Sequence, residues 1–361
     1  MRAERVRREI VATCREQLGA PELLRAISAL VDEAVPSDAT CWSTFDPATT
    51  MVTAAIGRDL DETGDAAIRF FELEYGLDTA GQYRRLTTSD SPVAVLDTAA
   101  PPTDDDTAAL RGHLDQLGVR QELRVLFREQ GEGWGGAGLM RATEPFTDEE
   151  RAFLELVAST VAGGVRAALV RGTPTPAADA PPEGPAVLVL DRAGVVEATP
   201  AAARWVEQLH RVDVDHGDLP AVVQAVGTSA SSGHTIAQRA RTANGSWVVL
   251  RGAPLGAGRA VVTIEPAGPP EVTSLLTSAL GLTGREQDVV VGVLRGLSTK
   301  EIASVLHMSP YTVQDHLKVV FAKAGVNSRR ELVSDVFFGV YFPRLGSAVR
   351  PDGFFVAVDL R

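Results

Sequence analysis

Apolar positions along the chain switch between a period near 3.6 and a period near 2, and the switches mark its elements. Val6, Ile10 and Cys14 lie on one face of a charged first helix, and "PELLRAISALVDEAV" is a second helix opened by Pro21. "ATCWSTFDPATTMVTAAIG", β-branched and aromatic, reads as two strands about the turn Asp46-Pro47. Helical stretches near Asp61 to Tyr75 and Asp104 to Leu117 flank a short strand, "PVAVLD". A strand pair follows, "QELRVLFRE" and "AGLMRAT", then the long helix "FTDEERAFLELVASTVAGGVRAALV", capped by Thr147 with Glu150 three places on. The Pro-, Ala- and Thr-rich residues Gly172 to Pro185 form a linker. Beyond it, "AVLVLDRAGVVEATPAAARWVEQL" gives strand, turn at Asp191 to Gly194, strand and helix. "HTIAQRARTANGSWVVLRGAPLGAGRAVVTIEPA" gives three more strands with an Asn244-Gly245 hairpin signal. No stretch repeats another in sequence.

The densest pattern runs from Leu282 to Val333. Thr283 with Glu286, Ser298 with Glu301, and Ser328 with Glu331 are hydroxyl–carboxylate pairs three residues apart, the capping box that satisfies two otherwise orphaned N–H groups at a helix start. A further helix opens at Ser309 with Pro310 in its first position. Gly296 and Gly325 stand where left-handed residues would end the first and third of these four helices. In the third, Val313, Leu317, Val320, Phe321 and Ala324 recur at helical intervals, leaving Tyr311, Gln314, Asp315 and Lys318 on the outer face. Ile302, Ala303 and Leu306 of the second helix meet the same core, and Leu306-His307-Met308 is the turn. Two short helices joined in this way, the later one polar on its outer face, have the geometry that delivers side chains to base edges in a DNA major groove.

The run "LTGREQDVVVGVLRGLSTKEIASVLHMSPYTVQDHLKVVFAKAGVNSRRELV" resembles the DNA-binding domain of LuxR-type transcriptional regulators over its whole length. That resemblance implies base reading by Gln314, Asp315 and Lys318. It implies phosphate-backbone contacts by Thr299, Lys300, Ser309, Tyr311, Thr312, Val313 and Lys323, while His316 either braces the helix or touches a base. Asp315 departs from the basic or small polar residue common in the family; a carboxylate repels phosphate but accepts from cytosine N4. His307 stands in place of the commoner turn glycine, in a position that requires tolerance of left-handed geometry. The last helix, continuing through "ELVSDVFFGVYFPRL", is the dimer contact in the family, which implicates Val333, Val336 and Phe337; the same apolar stripe could instead pack against the chain's other modules. The element order of residues 1–171 resembles a GAF-type sensory domain, and that of 186–268 is similar to a PAS-type domain. The expected fold class is therefore multidomain: an α+β GAF-like sensory domain (1–171), a linker (172–185), an α+β PAS-like domain (186–268), an all-α four-helix LuxR-type helix-turn-helix domain (269–341) and a tail (342–361).

Composition narrows the function. The chain has 361 residues, 45% of them hydrophobic, enough for more than one core. Its net charge of −12 argues against indiscriminate polyanion binding. Positive residues are nevertheless frequent between Leu282 and Arg330. Two distant cysteines, no CxxC and six scattered histidines point to a reduced, cytoplasmic setting without a structural metal. The N-terminus lacks the apolar run of a signal peptide, and Ala152 to Val170, the most membrane-like segment, carries Glu155 and Arg166 and reads as a packed helix. Gly131, Gly133 and Gly136 match GxGxxG, but a strand rather than a helix follows, so a glycine-rich hairpin is the reading. Asp104, Asp105 and Asp106 read as a solvated run and helix cap, and Trp42, Phe45, Phe70, Tyr75, Phe127 and Trp134 as core. No catalytic signature, receiver-type acidic series or cofactor motif is present, so the chain is expected to need no cofactor and to be no enzyme. The expected partners are double-stranded DNA and a second copy, with RNA polymerase and a small-molecule effector as further candidates and no membrane. The alternative is a protein-interaction module, such as a sigma-factor-like or anti-sigma partner, that uses the helix-turn-helix for protein contacts.

Overall fold

The computed structural model describes residues 2–59, 65–76, 82–101, 105–171, 182, 184–210, 219–243, 245–268, 271, 275 and 277–333. Of these described residues, those through Pro266 build one compact unit and those from Ala267 a second.

In the larger unit, helices α1 (Arg2–Thr13) and α2 (Ala20–Ala34) precede strands β1 (Ala39–Asp46) and β2 (Met51–Arg58). Then come α3 (Asp65–Tyr75), α4 (Gln82–Leu86), β3 (Val93–Asp97), α5 (Asp105–Gln116), β4 (Gln121–Glu129), β5 (Glu132–Arg141) and α6 (Asp148–Arg171). The five strands form an antiparallel sheet in the order β2-β1-β5-β4-β3. The glycine motif lies at the β4–β5 hairpin: Gln130 and Gly131 take φ of 54° and 84° at the tip, and a Cβ on Gly136 would meet the Tyr83 ring at 2.6 Å. Trp42 stacks on Phe127 at 5.5 Å, and Phe45 and Trp134 are buried as well, in keeping with the core reading of the aromatics.

Helix α6 is long and apolar enough by composition to cross a membrane, yet it packs along β4 and β5 and against α1 and α2. Leu154, Val157, Ala158, Val161, Ala162 and Val165 are all buried there. Its cap is the expected one: the Thr147 N–H donates to Glu150 Oε2 at 2.8 Å and the Glu150 N–H to Thr147 Oγ1 at 3.2 Å.

Strands β6 (Val187–Asp191), β7 (Gly194–Ala198), β8 (Ile236–Arg241), β9 (Trp247–Gly256) and β10 (Arg259–Pro266) make a second antiparallel sheet, ordered β7-β6-β10-β9-β8. Numbered within its own sheet, each set of five runs 2-1-5-4-3, so the unit repeats a topology that its sequence does not repeat. Helix α7 (Pro200–His210) covers the second sheet, with Trp205 and Leu209 against Leu188, Leu250 and Val262.

Sequence patterning left α8 (Ala221–Ser231) without an assignment, and it is the element that joins the two sheets. Ala221 and Ala225 belong to the first sheet's core with Phe45, Val52, Phe71, Tyr83 and Leu126, whereas Val222, Val223 and Val226 belong to the second's. A helix apolar on two faces presents no single stripe, which is why the periodicity missed it.

Beside α8, strands β1 and β2 are both tied to β8 by side chains. Asp46 accepts from the Arg239 backbone N–H at 3.0 Å, from Nε at 2.8 Å and from Nη2. Gln238 Nε2 donates to the carbonyls of Met51 at 2.9 Å and Val52 at 3.3 Å.

Under α3 and α4 lies a buried ionic cluster on β4. Arg124 Nη1 meets Glu74 Oε2 at 2.8 Å and its Nε meets Glu122 Oε1 at 2.9 Å. Glu74 Oε1 also accepts the Tyr83 N–H at 3.2 Å, so three elements converge on one guanidinium.

Candidate nucleic-acid interface

The smaller unit holds helices α9 (Gly284–Leu294), α10 (Thr299–Val305) and α11 (Pro310–Ala324), and a further helix opens over 329–333. Both α9 and α10 start with complete capping boxes, on Thr283/Glu286 and Ser298/Glu301. At the fourth helix the pattern is shifted by one residue. The Glu331 N–H donates to Ser328 Oγ at 3.1 Å, but the Glu331 carboxylate accepts from Asn327 at 2.7 Å rather than from Ser328. Ser309 Oγ caps α11 by accepting the Thr312 N–H at 3.0 Å. Each such cap contributes about 1 kcal/mol.

Gly296 and Gly325, at φ of 78° and 69°, follow α9 and α11 as expected. His307 adopts φ 54°, the left-handed turn residue that sequence required, and the Met308 N–H closes the turn on the Ala303 carbonyl at 3.0 Å. Left-handed geometry costs an ordinary side chain about 1 kcal/mol or more. His307→Gly is therefore expected to raise stability of the helical unit by about that much, and His307→Val to lower it, as read by thermal melting.

The core of the unit is aliphatic. Val289, Val290 and Val293 of α9, Ile302 and Ala303 of α10, and Val313, Leu317 and Val320 of α11 are buried together with Leu282 and Leu332. This packing fixes which face of α11 is turned outward: Tyr311, Thr312, Gln314, Asp315 and Lys318 are exposed, and Tyr311 keeps 76% of its surface open. Lys300 and Ser309 are exposed beside them, and Thr299 and His316 are half-buried. Ser309 and Thr312 share a hydroxyl–hydroxyl bond of 2.8 Å at the start of α11, and Lys318 Nζ reaches back one turn to Asp315 Oδ1 at 3.0 Å.

Three residues assigned to the site from sequence sit differently. The Val313 side chain is wholly buried, so only its backbone could approach a phosphate. Lys323 is committed to the scaffold: its Nζ lies 2.6 Å from Glu286 Oε2 and 2.9 Å from the Gly281 carbonyl, which ties the end of α11 to the start of α9. Burial alone would raise the Glu286 pKa, but Lys323 and the Thr283 N–H outweigh it and hold the carboxyl below its ordinary range. Val333 packs half-buried against the unit's own core, while Val336 and Phe337 fall outside the described residues. Sequence reading also missed Arg329 as a brace; its Nη2 donates to the Leu297 carbonyl. Neither Lys323 nor Arg329 has a local signal, because their partners lie more than thirty residues away.

The geometry defines a helix-turn-helix class of protein, with a braced second helix and an open polar face. Residues 280–336 match the family of bacterial regulatory proteins, luxR family, and an α+β unit with two five-stranded antiparallel sheets lies ahead of them in the chain. Over 54 residues it is 54% identical to putative HTH-type transcriptional regulators of Mycobacterium tuberculosis and Mycobacterium bovis, a segment that is 15% of this chain and 6% of theirs. Over 121 residues it is 32% identical to the response regulator protein TodT of Pseudomonas putida, covering 33% of this chain. The chain thus spans about half the length of TodT (48%) and a small fraction of the mycobacterial relatives.

Among solved structures, the phycoerythrobilin-bound GAF domain of a cyanobacterial phytochrome aligns with 45% of this chain and 93% of its own, at 18% identity and a TM-score of 0.33. A Vibrio cholerae VqmA–ligand–DNA complex aligns with 44% of this chain and 84% of its own, at 18% identity and a TM-score of 0.21.

Proposed function

We propose that the chain is a cytoplasmic, sequence-specific transcriptional regulator that acts by binding rather than catalysis, docking α11 in the major groove of a target duplex as a homodimer. The observation that carries this reading is the outer face of α11, where Gln314, Asp315 and Lys318 are exposed while Val313 and Val320 are fully buried behind them. Gln314 suits adenine, Asp315 accepts from cytosine N4, and Lys318 suits guanine or phosphate. Lys300, Tyr311, Ser309 and Thr312 flank that face where backbone contacts would fall. In this scheme the GAF-like and PAS-like modules, residues 1–171 and 186–268, set the affinity or orientation of the helical domain in response to a small-molecule effector, with RNA polymerase as a downstream partner. Any such control requires the effector to bind the two states unequally, with coupling of typically about 1–3 kcal/mol.

Fluorescence anisotropy with genomic fragments at several salt concentrations tests the proposal. A linear fall of log affinity with log salt, together with discrimination between fragments, is the expected result. Equal binding of all fragments without salt dependence would rule it out.

Asp315 supplies a separate prediction. Its ion pair with Lys318 is solvent-exposed and contributes little stability, so its carboxylate is available to the duplex. Asp315→Asn removes the repulsion toward phosphate and exchanges a cytosine acceptor for an adenine reader. Selection from a random duplex library should yield a motif with cytosine for the native chain. The variant should lose that cytosine and bind non-specific DNA several-fold more tightly.

A further inference from the structure

Helix α8 has a third face. Gln224, Thr228 and Ser231 recur at i, i+4 and i+7, away from the residues that enter the two cores, and they line an open cleft of about 270 Å³. The facing wall is α3, through Ile68 and Glu72, and the β6–β7 hairpin closes one side with Leu190 and Arg192. The cleft therefore touches both sheets' helices at once. Arg192 crosses between them: its Nε lies 2.7 Å from Glu72 Oε1, and its Nη1 lies 3.8 Å from Asp65.

Charge selects the class of molecule that fits. Glu72 already holds two guanidiniums, Arg192 and, at 3.2 Å, Arg69. The cation and the carboxylate that face each other in the cleft are thus spent on one another, and an ionic ligand of either sign gains no free counter-charge from that pair. The other carboxylate of the lining, Asp191, is exposed and already accepts the Ala193 N–H at 2.8 Å, which leaves the Gln224 amide and the Thr228, Ser231 and Ser232 hydroxyls, groups that donate and accept in short range, beside the aliphatic side chains of Ile68 and Leu190. Convergent neutral hydrogen-bonding groups over a small apolar floor match a molecule with hydroxyls on its rim and C–H bonds on one face. The volume, just under the usual range for small-molecule sites, sets its size at that of a monosaccharide.

We infer that this cleft binds a neutral, hydroxyl-rich small molecule of the sugar or polyol class, held between α3 and the polar face of α8. A molecule so placed stabilises the arrangement of the two sheets by mass action, because it binds that arrangement and not the separated modules. Its role as an effector rests on the regulator reading above; its existence as a binding site does not.

The full chain titrated calorimetrically with D-glucose, D-ribose and myo-inositol, and with glucose 6-phosphate and glucosamine as charged counterparts, tests the inference. At least one neutral compound should give saturable heat, and its charged counterparts should bind more weakly. Gln224→Leu and Thr228→Val should each weaken that binding at least tenfold. Hydrogen exchange on the native chain supplies a readout independent of the variants' folding: the bound compound should slow exchange in α3 and α8 together. Absence of saturable binding by all three neutral compounds, tighter binding of a charged counterpart, undiminished binding by both folded variants, or protection elsewhere would each overturn it. The Lys318→Glu chain separates the two readings, since it should retain the polyol while losing DNA.

Discussion

Lys318→Glu is expected to weaken duplex binding by on the order of a hundredfold while leaving the fold intact. The Lys318 side chain is 75% exposed and pairs with Asp315 one turn back, so the helical unit loses one exposed ion pair, which costs well under 1 kcal/mol. On DNA the loss is of a different order. A direct contact to a base edge or phosphate disappears, about 1–3 kcal/mol. A second carboxylate also joins Asp315 on the face that must approach the phosphates, which pushes the total to roughly 3 kcal/mol or a hundredfold in affinity. The salt slope should fall by about one as well, because one fewer counterion is released. Lys323 supplies the contrast. Although it was placed with the phosphate contacts from sequence, it bridges to Glu286, whose side chain is only 8% exposed. Lys323→Met should therefore lower the melting temperature of the helical unit, with DNA affinity changing only as far as the folded fraction does. Unchanged affinity for Lys318→Glu would remove α11 from the interface altogether.

The contrast shows what sequence could and could not convey. Caps, turns and the buried face of α11 depend on residues within four places of one another, and hydroxyl–carboxylate spacing, the left-handed His307 and the Val313/Leu317/Val320 stripe were all readable. The strand pairs of the first sheet were readable for the same reason: their hairpins are local and their alternation is plain. What was lost depends on partners remote in sequence. Lys323 with Glu286, Arg329 with Leu297, and Asp46 with Arg239 become pairs only when the fold is complete. Helix α8 failed in another way. Its Ala, Val and Gly residues serve two cores, so the hydrophobic stripe that identifies a helix was smeared around the cylinder. The shared 2-1-5-4-3 order was hidden because strand order follows from connectivity and pairing, neither of which constrains residue identity enough to leave a repeat.

The largest stability effect is expected at Arg124→Met. Arg124 is fully buried, and Glu74 and Glu122 keep only 3% and 2% of their side-chain surfaces. Removing the guanidinium leaves two carboxylates in a site that cannot hydrate them, a loss of about 3–5 kcal/mol, readable by urea denaturation as an early transition of the α+β unit. The fault lies in uncompensated charge, so it should be repairable: Arg124→Met combined with Glu74→Leu and Glu122→Leu should recover most of the lost stability, which a simple cavity would not allow. Acidity gives an independent check. Burial already pushes the Glu122 pKa up in the native chain, against the pull of Arg124. For an acid whose folded pKa exceeds its unfolded one, the native state binds more protons across the interval, so stability falls as pH rises from about 4.3 through the folded value. Glu122→Gln removes that proton linkage and should flatten the pH dependence in this window, with stability near neutrality equal to or above that of the native chain. In Arg124→Met the linkage should instead steepen, since the Glu122 carboxyl then loses the guanidinium that opposes its burial, and the variant should be most nearly native in acid. A variant equally destabilised at every pH would show that Arg124 acts through its packing against Phe70 and Tyr83, 5.7 and 5.3 Å from their ring centres, and not through its charge.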